Sequence, residues 1–225
     1  KEDWKTGSSA AAAGGVTTVL DMPNTKPPTF TKLLLDEKRE FARKSVVDYG
    51  FHFGASATNS DEIKKTKNEV ASTKLYMNHT TGELLVTDKN AVTSVFDAAR
   101  RVTVHAEGET MKDARGYALA AQKHIHIAHV SSASEVRLLG EHKKNGMISA
   151  EVTPHHLFLT EHAVKELGPF AYMKPCLKSS DDVAALWMGI HEGIIDCVAT
   201  DHAPHTREEK ESENPSFGVP GIETM

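Results

Sequence analysis

Asp181-Asp-Val-Ala-Ala-Leu-Trp-Met-Gly-Ile-His-Glu192 is followed, after Gly193, by Ile194-Ile-Asp-Cys-Val-Ala-Thr200 and then by Asp201-His-Ala-Pro-His-Thr206. The first piece spaces its apolar residues as a helix does. The second is a short apolar, β-branched run, and the third is polar, with acid and imidazole groups. The same alternation recurs along the chain. Further strand-like runs are Val16–Met22, Tyr49–Ala55, Lys74–Met77, Val102–Ala106, His124–Val130 and Ile148–Val152. Helical patterns fall at Thr31–Lys44, Asn90–Arg101, Ser132–Asn145 and Thr160–Glu166. Strands alternating with helices build βαβ units and a parallel sheet.

The seven runs are one fewer than a closed eight-stranded barrel needs. Asn24, Lys74, His105, His129, Glu151, His155, Asp201 and His205 fall at or just past the carboxyl ends of runs. A barrel builds its active site on that rim from several strands, whereas an open doubly wound sheet concentrates it near one switch point. The expectation is an α/β fold, a (β/α)8 TIM-type barrel, with residues 1–225 as a single domain. Its first strand and C-terminal part are expected outside this sequence. Alternation alone leaves the doubly wound sheet open.

Bulk properties narrow the function. Hydrophobic residues at 39% and charged residues at 25% fit an ordinary globular protein. A net charge of −5 with no basic stripe argues against nucleic acid. No apolar run reaches the roughly 18 residues of a membrane span, and no signal peptide is visible. The chain opens on Lys1-Glu-Asp-Trp4, heading into a helix, which suggests a start further upstream. Cys176 and Cys197 are too few for a disulfide framework and suit a reducing cytoplasm, with one bridge between them left open. The 13 histidines are the unusual feature, since imidazole is both a metal ligand and an acid–base group.

Position separates these histidines. A histidine ending an apolar run, as His105 does, is often a core or loop residue and decides little alone. His129 ends the next run, where strand alternation puts Ile125, Ile127 and His129 on one face and His124 and His126 on the other. With His129 toward the barrel axis, the His124-Ile-His126 pair is expected to point outward and take no part. Asp201 could open a capped loop. A stretch of Asp, two His and Pro after a buried strand instead favours a carboxylate that binds metal and carries a proton. Lys74 as an ammonium has no lone pair to offer; only as a carbamate, formed with carbon dioxide, could it bridge metal ions.

These residues stand in blocks that together resemble the longer-chain dihydroorotases of the cyclic amidohydrolase superfamily. The blocks are Lys1-Glu-Asp-Trp4, Ala13-Gly-Gly-Val-Thr-Thr-Val-Leu-Asp-Met-Pro-Asn-Thr25, Lys74-Leu-Tyr-Met-Asn78, His105-Ala-Glu107, His129-Val-Ser131, Glu151-Val-Thr-Pro-His-His156, Asp201-His-Ala-Pro-His-Thr206 with Glu208-Glu-Lys210, and Gly218-Val-Pro-Gly-Ile-Glu-Thr224. The resemblance implies reversible cyclisation of N-carbamoyl-L-aspartate to L-dihydroorotate, in pyrimidine synthesis, at a two-zinc site. Lys74 then matches a carboxylated bridging lysine, and His105 and His129 match ligands of one metal. Asp201 matches a ligand of the other and the catalytic acid–base. Asn24 and His205 match residues that grip the substrate carboxylate, and Phe217 and Gly218 match a loop against the ring. Thr80 falls in a loop that closes over substrate, and Glu151 matches a residue holding an additional metal in some members.

The match departs from the family in two places. The family's His-x-His metal motif and its arginine would lie before Lys1. Lys174-Pro175 stands where asparagine or arginine is usual, and a lysine holds a carboxylate without the bidentate fork. A sister allantoinase or dihydropyrimidinase is the nearest alternative, and a non-catalytic dihydroorotase-like structural domain is another. The implied partner is a small molecule, with neither nucleic acid nor membrane, in the cytoplasm; a homo-oligomer stays open.

Overall fold

The computed structural model describes residues 2–79, 84–143 and 146–224. Seven strands form one parallel sheet in chain order: β1 Thr18–Asp21, β2 Asp48–Gly54, β3 Ser72–Tyr76, β4 Val102–His105, β5 Ile125–Ile127, β6 Ile148–Val152 and β7 Cys197–Val198. Among the described residues β1 pairs only with β2 and β7 only with β6, so the curled sheet has two edges. Helices α1 Trp4–Ala13, α2 Lys32–Ala42, α3 Ser60–Thr66, α4 Lys89–Ala98, α5 Glu109–Ala121, α6 Ala133–His142, α7 Pro154–Phe158, α8 Glu161–Leu167, α9 Ser180–His191 and α10 Arg207–Lys210 fill the connections. No helix among the described residues is long and apolar enough to cross a membrane.

Strand alternation sorts the side chains. Phe51, Phe53, Leu75, Val102, Val104, Ile125, Ile127, Ile148, Ala150 and Val152 are buried in the main core with Leu35, Ile63, Phe96, Val136 and Leu186 of the helices. Each fully buried Val, Leu, Ile or Phe among them contributes roughly 1.5–3 kcal/mol. The opposite, inner face carries His52, Ser72, Lys74, Tyr76, Thr103, His105, His126, Ser149, Glu151 and Cys197. Helix starts follow from capping side chains. Ser132 and Ser179 make capping boxes with Glu135 and Asp182, and Thr31 and Asp88 cap α2 and α4; each such cap contributes about 1 kcal/mol.

The structure changes three details of the sequence reading. Strand β3 begins at Ser72, so Lys74 sits in mid-strand rather than at a strand start. The run His124–Val130 is strand only over Ile125–Ile127, and His129 has a left-handed backbone, φ 38°. That residue leaves the two-residue period, so His129 turns inward while Ile125 and Ile127 stay in the core. His126 therefore faces the inside with His129, not the helices. Helix α5 went unread because its buried side is Met111, Ala114 and Ala118, too small a stripe to show periodicity. Both cysteines are free thiols.

Candidate active site

Lys74 of β3, His105 ending β4, His129 after β5 and Asp201 after β7 line one cavity of about 60 Å³, together with Asn24, Lys174, Phe217 and Gly218. That volume holds a few water-sized groups. Met22, Tyr76 and Ala203 complete the lining. None of the three stands out in the sequence. Tyr76 was recoverable, since it lies two residues beyond Lys74 on the same strand face.

The imidazoles are held without full satisfaction. His105 Nδ1 stands 2.9 Å from His129 Nε2, both rings nearly inaccessible. Their outer nitrogens, His105 Nε2 and His129 Nδ1, make no hydrogen bond; Glu107 Oε1 lies 3.3 Å from His105 Nε2 at ion-pair distance only. Burial, reinforced by the charge of Lys74, holds His129 well below the usual imidazole range. A neutral ring keeps a lone pair for a ligand. Two imidazole nitrogens on one tetrahedral ion stand about 3.3 Å apart, so the facing pair fits a shared metal ion.

Lys74 is buried, and burial lowers its ammonium to about 8, against the opposing pull of Glu151 and Asp201. Its Nζ sits 5.3 Å from the centre of the Tyr76 ring. An amine that loses its proton this easily can act as a nucleophile or take up carbon dioxide. Asp201, at φ 41°, is pushed up by burial, with Lys74 pulling down and Glu151 adding to the rise. A carboxyl raised this way is suited to exchanging a proton.

The remaining expected residues divide. Asn24 is exposed in the loop after β1, at the cavity wall. Lys174 Nζ lies over the Phe217 ring at 4.9 Å. His205 is not among the cavity-lining residues. Its ring nitrogens face Glu209 Oε2 and the Phe217 carbonyl, each at 3.0 Å, so it braces the Phe217–Gly218 wall from behind. Thr80 lies outside the described residues. Glu151 sits on the inner face with His126 Nε2 at 2.8 Å, and donor atoms of His126, Glu151 and Cys197 lie within 4.8 Å of one another. His126 Nδ1 meets Ser149 Oγ at 2.8 Å, the kind of second hydrogen bond that orients an imidazole ligand.

The comparisons give this fold and rim a family: the chain belongs to the amidohydrolase family, whose description matches residues 1–219. It is 38% identical over 232 residues to the multifunctional protein CAD of Squalus acanthias, covering 100% of this chain and 10% of that protein. It is 34% identical over 271 residues to the dihydroorotase of Methanosarcina mazei, covering 100% of this chain and 59% of that enzyme. Among solved structures, an L-hydantoinase (dihydropyrimidinase) from Arthrobacter aurescens superposes with a TM-score of 0.85 at 25% identity, over 98% of this chain and 59% of that one. The chain thus spans less than two thirds of the length of these relatives.

Proposed function

We propose that the protein containing this chain is a zinc-dependent dihydroorotase, interconverting N-carbamoyl-L-aspartate and L-dihydroorotate. The observation that carries the reading is one cavity lined both by Lys74, His105, His129 and Asp201 and by the polar groups Asn24 and Lys174. In this reading Lys74, as its carbamate, with His105, His129 and Asp201 would hold about two zinc ions. Zinc supplies a coordinated water with its pKa lowered to about 7 and polarises the amide carbonyl.

The chain's own groups do the rest. In ring opening Asp201 accepts the water proton and returns it to the leaving ring nitrogen; ring closure reverses both transfers. Asn24 donates from its side-chain amide to the substrate carboxylate, and Lys174 faces the same anion as a point charge. Phe217 and Gly218 set the wall along the ring, with His205 behind them. Tyr76 and the buried strand face wall the reacting side. Glu151 is the centre of a second group, with His126 and Cys197, able to take a further metal ion. Residues 1–225 act here as one hydrolase domain on a small molecule, and free thiols fit a reducing cytoplasm.

The resemblance in fold to a dihydropyrimidinase makes a sister cyclic amidohydrolase the second reading. Dihydroorotate carries a ring carboxylate that dihydrouracil lacks, and a polar site left unpaired rejects the poorer ligand strongly. Steady-state assays of the parent protein on dihydroorotate, dihydrouracil and allantoin test this. The expected preference for dihydroorotate is on the order of 10⁴, and Asn24→Ala should cut it while leaving metal content alone. Comparable efficiency on dihydrouracil, or a preference for allantoin, would assign the chain to a sister activity.

A further inference from the structure

Helix α10 is four residues long and follows directly on the Asp201–Thr206 loop, yet it carries a lysine that is 3% exposed. Lys210 Nζ donates to the carbonyls of Pro169 and Tyr172, each at 3.1 Å. The Tyr172 carbonyl also accepts from the Gly218 amide at 2.8 Å. The neighbouring residue grips the same wall from the other side. Glu209 Oε2 holds His205 Nδ1, whose Nε2 reaches the Phe217 carbonyl, and the Glu209 carbonyl accepts from the Ser216 amide at 3.1 Å.

Gly218 has no slack in this arrangement. Its φ is 133°, and a Cβ there would come 2.6 Å from the Ala203 carbonyl oxygen. Phe217 stacks on Tyr172 at 5.7 Å and 26° between planes, with Lys174 over its ring. Neither Glu209 nor Lys210 lines the cavity, so their contacts act on what does.

We propose that Glu209 and Lys210 are positioning residues that set the cavity wall formed by Phe217, Gly218 and Lys174, and so fix how tightly the cyclic substrate is held. The proposal rests on the cyclic-amide reading for its substrate, but the brace itself stands on the contacts above. A lysine between two half-buried carbonyls is needed as a donor. Methionine fills the space without donating, and arginine restores the donor.

The test uses the parent protein with Lys210→Met, Lys210→Arg and Glu209→Gln. Wild-type turnover of dihydroorotate is measured first; if it is absent, the function proposed above fails and the ratios are taken on whichever of dihydrouracil or allantoin is turned over. Lys210→Met should raise KM about tenfold with kcat within about threefold and metal content unchanged. Lys210→Arg should recover most of that KM. Chymotrypsin cleavage after Phe217 should quicken in Lys210→Met ahead of other sites, a readout that needs no turnover. An unchanged KM with unchanged cleavage overturns the proposal, as does a parallel loss of kcat and metal, which would make Lys210 a residue of general stability. Should Lys210→Met fail to fold, Glu209→Gln decides: a KM rise of about threefold supports the brace, and no change refutes it.

Discussion

Two layers of the same inner barrel face treat their buried polar groups in opposite ways. On the floor, His52 Nδ1 meets Ser72 Oγ at 2.8 Å and Ser72 meets Thr103 Oγ1 at 2.6 Å. Across the sheet, His126 is tied to both Ser149 and Glu151. On the rim, one strand position higher, His105 and His129 each leave a buried nitrogen without a hydrogen bond. A buried polar atom without a partner costs about 1–3 kcal/mol. The floor avoids that cost within the protein; the rim carries it on the outer nitrogens, while its facing pair, His105 Nδ1 and His129 Nε2, has the spacing of two ligands on one ion. His155, with both ring nitrogens unpartnered close under Gly221, sides with the rim.

The contrast breaks first at Asp201. Asp201→Asn keeps the shape of the carboxylate and loses the proton acceptor, so turnover in both directions should disappear while the fold survives. A variant within tenfold of the parent, about 1.4 kcal/mol in the barrier, would reassign the acid–base role. Next is Lys74→Ala, which should lower bound zinc together with activity, read by elemental analysis and assay side by side. Full metal content and full activity in that variant would refute the carbamate bridge.

How much of this was legible in the sequence depends on which physical signal each feature leaves. The strands were readable because apolar β-branched runs bury one face against helices. His105 and Asp201 stood out as polar residues closing such runs. His126 was misassigned because one left-handed residue, His129, breaks a period that otherwise held. Tyr76 carries no signal of its own in the sequence, because an aromatic in a strand is usually core. The grouping of His126, Glu151 and Cys197 needs the register of three strands, which no single run encodes. Phe217 and Gly218 lie in an irregular loop and were reached only through the family resemblance.

The buried neutral imidazoles can be tested through acid stability. Burial pushes His52 down to about 4, with the charge of Lys74 adding to it, and it pushes His155 to about 3 and His156 to about 4. A folded-state pKa below the unfolded value near 6.5 means that the unfolded chain takes the proton first. Stability is then complete above pH 6.5 and falls as the pH drops toward 4. For His52 alone this is on the order of 3 kcal/mol. Urea unfolding of His52→Gln should give a shallower acid limb, and an unaltered limb would show that His52 is not buried neutral. The smallest effect is spectroscopic. A cobalt-loaded parent should show a thiolate charge-transfer band that Cys197→Ser removes, whereas a spectrum without that band would leave Glu151 and His126 as a floor hydrogen bond only.

The central claim is that the facing imidazoles of the rim hold metal together with Lys74 and Asp201, and titration of the chelator-stripped parent protein with zinc addresses it most directly. Dihydroorotate hydrolysis should be absent in the stripped protein and return with added ion, reaching its plateau at about two zinc ions per chain. Full hydrolysis by the stripped protein, with no stoichiometric metal remaining, would contradict the account.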